Sequence, residues 1–215
     1  MMLKYKCLVL DHDDTVVQSE ASINYPFFCY ILDQFRPGAK ITMQQYVDGC
    51  FRLGFADMCR QWYGFNDQEL KDEYRGWMDY VKTHIPPPYP GIRELLEKLK
   101  ADGHRLYVAT SKPEWMSIEI LEHFDLAKYF DMICGASTDF SRNSKEAVIT
   151  HLLEECGAQE NPIMVGDTAY DVIGAKEHGI PTIGVDWGYG RNEDMEKAGA
   201  IAIAYTVDEL YNLLK

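Results

Sequence analysis

From Tyr89 onward, the apolar positions of the chain alternate between two periods. In "GIRELLEKLKADG", Ile92, Leu95, Leu96 and Leu99 recur at helical spacing, and Gly103 offers a C-terminal stop. "RLYVAT" is a short continuous apolar run, which reads as a buried strand. The same alternation continues with "KPEWMSIEILEHF" as helix, "FDMICG" as strand, "SKEAVITHLLEECG" as helix and "PIMVGD" as strand. "TAYDVIGAKEHG" then predicts a helix, "PTIGVD" and "AIAIA" predict strands, and a last helix begins at Thr206, with Glu209 completing a capping box. Near the N-terminus, "CLVL" is one more apolar run of strand length, and it meets Asp11 directly. Strands alternating with helices of this length predict an α/β fold with a Rossmann-like, mainly parallel sheet.

Residues 19–85 break the rhythm. They are rich in Tyr, Phe and Trp, offer no defensible strand and read as all-helical. "PPPYPG" then returns the chain to the alternating pattern through an extended connection. The expected organisation is an α/β core, 1–18 and 86–215, interrupted after its first strand by a helical domain, 19–85.

Composition narrows the partners. A net charge of -13 over 215 residues argues against a nucleic-acid or other polyanion surface, while a local site can still take a small anion. The six cysteines are scattered without CxxC or metal-ligand spacing, so reduced and mostly buried thiols in a cytoplasmic protein are expected. The apolar run before Asp11 is too short for a signal peptide, and no stretch is long enough to span a membrane. The acidic charge and lack of long heptads lead us to expect a monomer or small homo-oligomer.

In an open parallel sheet, ligands bind beyond the carboxyl ends of the strands. The residues just past each predicted strand are Asp11, Asp13, Asp14 and Thr15, then Thr110, Ser111 and Lys112, then Asp167 with Asp171 one turn on. Lys145 lies at the start of the helix after "MICGASTDFSRN". Carboxylates, hydroxyls and a cation from distant segments are thereby sent to one rim.

With "DHDDT", "ATSK", the lysine of "SRNSKEAV" and "GDTAYD" in that order, the chain resembles the haloacid dehalogenase superfamily of phosphotransferases, in its subgroup with a helical cap after the first strand. "YPGIRELLEKL" and "VDWGYG" are similar to phosphoglycolate-phosphatase-type members. The resemblance implies a Mg²⁺-dependent phosphatase acting on a small phosphorylated metabolite. Asp11 would be the nucleophile that forms an aspartyl-phosphate, and Asp13 the general acid and base. Thr110 would hydrogen-bond the phosphoryl group with help from the Ser111 amide. Lys145 would neutralise phosphate and Asp11, with Arg142 a weaker second candidate. The metal would be held by Asp11, the Asp13 carbonyl and Asp167, with Asp171 supporting that shell. Two carboxylates about 5 Å apart at an effective dielectric near 20 repel by about 3 kcal/mol, which a divalent cation turns into coordination.

Local readings stand beside these roles. Thr168 to Asp171 also fits a helix N-terminal capping pattern, and Ser111 with Glu114 has capping-box spacing around Pro113. Asp14 stands where the family usually has glycine, and Asp tolerates left-handed backbone better than most residues. His12 is expected to point back into the core. In the cap, "GCFRLGF" is the candidate specificity loop, with Arg52 reading substrate and Phe51, Leu53 and Phe55 as walls; an ordinary helix-to-helix turn fits equally. A sugar phosphomutase would use the same core residues, but such mutases carry an early cap histidine where Ile23 or Asn24 stands. Asp13 speaks against a dehalogenase or a phosphonate hydrolase. A non-catalytic phosphate-binding protein is the alternative from another class.

Overall fold

The computed structural model describes residues 3–139, 141–157 and 160–215, which divide into two compact units. One unit comprises 1–18 and 87–215, and the other comprises 19–86.

The first unit is built on six parallel strands: β1 Cys7–Leu10, β2 Arg105–Pro113, β3 Met132–Ala136, β4 Pro162–Gly166, β5 Thr182–Val185 and β6 Ala202–Ala204. Their spatial order is β3-β2-β1-β4-β5-β6. The order reverses between β1 and β4, which opens a crevice at their carboxyl ends. All four residues of β1 are buried, as a central strand covered on both faces requires. Cys7 and Val9 join Tyr107, Ala109 and Met164 in one core cluster, packed by Val148, Ile149 and Leu152. Leu8 and Leu10 alternate to the opposite face and are equally buried.

After a π-helical turn at Glu20–Asn24, the α-helices described in the second unit are α1 Tyr25–Phe35, α2 Met43–Leu53, α3 Phe55–Tyr63 and α4 Asp67–Tyr80. Thr42 with Gln45 caps α2, and Asn66 with Glu69 caps α4, each as a reciprocal box. Arg36, just past α1, grips the Glu69 carboxylate through two nitrogens at 2.8 and 2.9 Å and also donates to the carbonyls of Tyr63 and Gly64. This charged fork ties three helix ends together.

Six more helices belong to the α/β unit: α5 Ile92–Ala101, α6 Glu114–His123, α7 Lys145–Cys156, α8 Ala169–Lys176, α9 Asn192–Ala198 and α10 Val207–Leu214. The sequence pattern missed α9, which is seven residues long and buries one apolar side chain, Met195. The capping box expected at Ser111 and Glu114 does not form. Beyond a register shift, β2 keeps pairing with β3 as far as Pro113, so the chain is still extended where the cap should sit. Glu114 turns instead to the Gly135 amide and Arg142. At α10 the expected cap does form, with Thr206 accepting from the Glu209 amide.

Candidate active site

β1 ends in the crevice. Its ladder continues one residue further, because the Asp11 amide donates to the Val165 carbonyl at 2.8 Å. That bond fixes the backbone that carries the Asp11 carboxylate. β4 delivers Asp167 at the same level, and α8 starts immediately after it with Asp171 in its first turn. Asp11, Asp167 and Asp171 each place a carboxylate oxygen within 4.8 Å of the others, and all three residues are buried.

Lys145 is the cation set against them. Its ammonium donates to Asp11 Oδ1 at 2.5 Å and to the Ala109 carbonyl at 2.8 Å. It lies 2.9 Å from Asp171 Oδ1, close enough for an ion pair although the angle does not make a hydrogen bond. Lys145 is the first residue of α7, where the helix dipole disfavours a cation. Its burial, at 8% exposure, rules out a solvated lysine and shows that the carboxylates hold it there.

Three carboxylates facing one ammonium leave an excess of negative charge. Burial pushes the Asp11 carboxyl up to about 7 against the pull of Lys145, and the Asp171 charge adds to the rise. Burial, then Asp171 and Asp11, hold Asp167 well above the usual carboxylate range. For Lys145, burial acts to lower the pKa, but the charges of Asp11 and Asp171 outweigh it and the net shift is upward. An all-oxygen donor set with surplus negative charge fits a hard divalent cation.

The rest of the rim sorts into two further groups. Asp13 lies outside the carboxylate trio: its Oδ1 is 3.1 Å from Lys112 Nζ and 3.3 Å from His12 Nδ1. Thr110 is buried and its hydroxyl oxygen accepts from the Lys112 amide at 3.1 Å, while Ser111 beside it is exposed. His12 has no exposed surface, and burial lowers its pKa against the pull of Asp13. Nothing in the sequence marks a role for Lys112 at the strand end, and its contact with Asp13 arises only because β2 lies beside β1.

Arg142 is not at the site. Its guanidinium is committed to the Gly135 carbonyl at 2.8 Å and to Glu114 Oε2 at 2.7 Å. Asp171 forms the expected helix cap, with Oδ2 accepting from the amide and hydroxyl of Thr168 at 3.0 and 2.8 Å, while Oδ1 faces Lys145. Two glycines that sequence reasoning passed over shape this pocket. A Cβ at Gly166 would collide with the Asp171 carboxyl, and one at Gly188 with that of Asp167. The amide after Gly188, that of Tyr189, donates to Asp167 Oδ2 at 3.0 Å.

"GCFRLGF" is a helix corner rather than a loop. Arg52 is exposed in the last turn of α2, and Gly54 alone, at φ +80°, separates α2 from α3. Phe51 is exposed, and Leu53 and Phe55 are half-buried, all within the helical unit.

Asp14 adopts the left-handed backbone that a glycine would, with φ +53°, and its Oδ1 accepts from the Tyr89 hydroxyl at 3.3 Å. The left-handed cost, about 1–2 kcal/mol for ordinary side chains, is thus set against a hydrogen bond of about 1 kcal/mol. Asp14→Gly loses the bond and relieves the strain, so its stability should stay within about 1 kcal/mol of the parent. Asp14→Ala loses the bond and keeps the strain, and should fall about 1–2 kcal/mol below the glycine variant in urea unfolding. Equal stabilities would mean that the backbone angle carries no cost here.

The haloacid dehalogenase-like hydrolase family model matches residues 8–185. A predicted phosphatase from Clostridium acetobutylicum superposes with a TM-score of 0.81 at 35% identity, covering 97% of each chain. The tyrosine-protein kinase PtkA of Mycobacterium tuberculosis is 44% identical over 59% of this chain and 44% of its own length. A 5'-nucleotidase of Pseudomonas aeruginosa is 39% identical over 63% of each. Proteins named phosphoglycolate phosphatase match at 27% to 34% identity. The chain spans less than two thirds of the length of these curated relatives.

Proposed function

The chain belongs to the haloacid dehalogenase-like hydrolase family, and from that membership we propose that it is a Mg²⁺-dependent phosphatase hydrolysing a small-molecule phosphomonoester through an aspartyl-phosphate on Asp11. The observation that carries this reading is the buried Asp11 carboxylate at the end of the central strand, with the Lys145 ammonium 2.5 Å from it and two further carboxylates alongside.

In the first half-reaction, a carboxylate oxygen of Asp11 attacks phosphorus as the bond to the leaving oxygen breaks, and Asp13 gives that oxygen a proton. In the second, Asp13 takes a proton from water, the water oxygen attacks phosphorus, and the Asp11–phosphorus bond breaks to release phosphate. Lys112 and His12 hold Asp13 in one orientation for both transfers. The Thr110 oxygen already accepts from the Lys112 amide, so its hydroxyl hydrogen is directed to a phosphoryl oxygen. Ser111 contributes its amide. Lys145 neutralises the attacking carboxylate before transfer and the transferring oxygens during it, the main electrostatic task in phosphoryl transfer. Asp11, Asp167 and the Asp13 carbonyl would hold Mg²⁺, with Asp171 supporting them; when bound, the ion supplies positive charge against the crowded carboxylates and the phosphate.

Release of inorganic phosphate from a panel of nucleotides, sugar phosphates and phosphoglycolate, with Mg²⁺ and with chelator, tests the reading. The panel follows the names of the relatives, and because one of those is a kinase, transfer to an added hydroxyl acceptor belongs in the same assay. No turnover of any phosphoester, with phosphate and Mg²⁺ still bound, would replace the enzyme with a phosphate-binding protein. The six cysteines are all free, which suits a reducing cytoplasmic setting, and among the described residues no helix is long and apolar enough to cross a membrane.

Mg²⁺ binding should strengthen as pH rises through about 7. In the metal-free protein Asp11 has a folded pKa raised to about 7. Its contribution to stability is therefore full at pH values below the unfolded carboxylate range and is lost as pH rises through the folded value. A cation needs the deprotonated carboxylate, so binding releases protons at low pH and is unhindered at high pH. The rise in melting temperature on adding Mg²⁺ should be larger at pH 8 than at pH 5.5. An equal rise at both would contradict a site made of these carboxylates.

A further inference from the structure

The helical unit holds an open pocket of about 330 Å³. Two carboxylates line it, Glu20 and Glu73, together with the rings of Tyr46, Phe55, Tyr74 and Trp77. No lysine or arginine is among the described residues that line it. Glu73 is only 7% exposed, and burial alone shifts its carboxyl, with no hydrogen bond or neighbouring charge contributing. A carboxyl in that setting shifts toward its protonated form unless a cation pairs with it. Glu20 and Trp77 are oriented by one amide: Asn24 donates to Glu20 Oε1 at 3.0 Å and accepts from the Trp77 indole at 3.0 Å. The walls are therefore fixed, with Tyr74 stacked on Trp77 at a centroid distance of 6.2 Å.

We propose that this cavity binds a small organic ammonium ion, with Glu73 and Glu20 as countercharge and the surrounding rings as cation–π faces. Each alternative ligand class meets an obstacle. An anion would face two carboxylates with no compensating cation. A bare divalent ion prefers six or more oxygens, and the Asn24 oxygen here is already committed to Trp77. A neutral apolar molecule would gain nothing from the charge of either carboxylate. An ammonium ion meets both demands at once, since its charge pairs with the carboxylates and its carbon substituents pack on the rings. Burial raises the Glu73 carboxyl to about 7, and a cation bound beside it would draw it back to the ionised form. The site lies wholly within the helical unit and does not rest on the phosphatase reading.

Isothermal titration calorimetry on the full chain tests it, with benzylamine and choline as ammonium probes and benzyl alcohol and 3,3-dimethylbutanol as their neutral counterparts. At least one ammonium ion should bind with a Kd below about 1 mM, and its neutral counterpart at least about tenfold more weakly. Glu73→Gln should weaken the ammonium ion by at least about tenfold. A preference for benzylamine identifies an N–H donor to the carboxylates, and a preference for choline identifies an aromatic cage; either supports the site. Equal binding of the neutral counterpart, unchanged affinity in Glu73→Gln, or no binding of either ion up to about 10 mM overturns it. Should Glu73→Gln lose its helical circular dichroism, Tyr74→Ala at the half-exposed rim carries the test, and unchanged affinity there is equally fatal.

Discussion

Asp11→Asn is expected to lower phosphate release by at least about 10³-fold while leaving the protein folded. The amide has the shape of the carboxylate but lacks the charge and lone-pair availability that attack on phosphorus requires. Folding should survive because Lys145 keeps two of its partners, the Ala109 carbonyl at 2.8 Å and Asp171 at 2.9 Å. The substitution also removes one of three mutually repelling buried groups, and the upward shift of Asp11 shows that its ionised form is costly in the metal-free protein. Two measurements separate the roles: phosphate release under saturating Mg²⁺, and the acid-stable label left on the protein after reaction with a phosphorylated substrate. Turnover within tenfold of the parent would remove Asp11 as nucleophile, whatever the substrate proves to be.

Lys145→Met should produce the largest stability loss. It leaves Asp11, Asp167 and Asp171 buried within 4.8 Å of one another with no ammonium between them. Removing one partner of a buried ion pair typically costs about 3–5 kcal/mol, because the remaining charge is uncompensated. The loss should depend on pH with a definite sign. At low pH the carboxylates take up protons and the missing cation matters less, so the deficit in urea unfolding should be larger at pH 8 than at pH 5.5 in chelator. Mg²⁺ should restore part of it. Activity should fall by about 10³-fold even where the variant is folded, since the transferring phosphoryl group loses its nearest fixed positive charge. A deficit independent of pH would show that Lys145 acts by packing.

The site residues that were legible in the sequence are those fixed by strand periodicity. Asp11 follows β1, Thr110 lies in the last part of β2 and Asp167 follows β4, so finding the apolar runs was enough to find them. Lys145 is harder to read, because a lysine at a helix start is common at surfaces; the motif order singles it out, and only the tertiary contacts show its ion pairs with Asp11 and Asp171. Arg142 shows the reverse. The sequence leaves it available as a second cation, yet two of its N–H donors go to Glu114 and Gly135, residues from other segments.

By itself the sequence determined the alternation of strands and helices, the interruption after the first strand and the identity of the rim carboxylates, because each depends on residues within one turn or one pleat of each other. Tertiary structure alone decided how those charges are paired. It set Lys112 beside Asp13 and took Arg142 to Glu114, extended β2 through the expected cap at Ser111, and placed Glu20, Tyr46, Glu73 and Trp77 around one cavity. Those outcomes depend on groups tens of residues apart meeting at distances near 3 Å, where burial and Coulomb energy, rather than local periodicity, choose the partner.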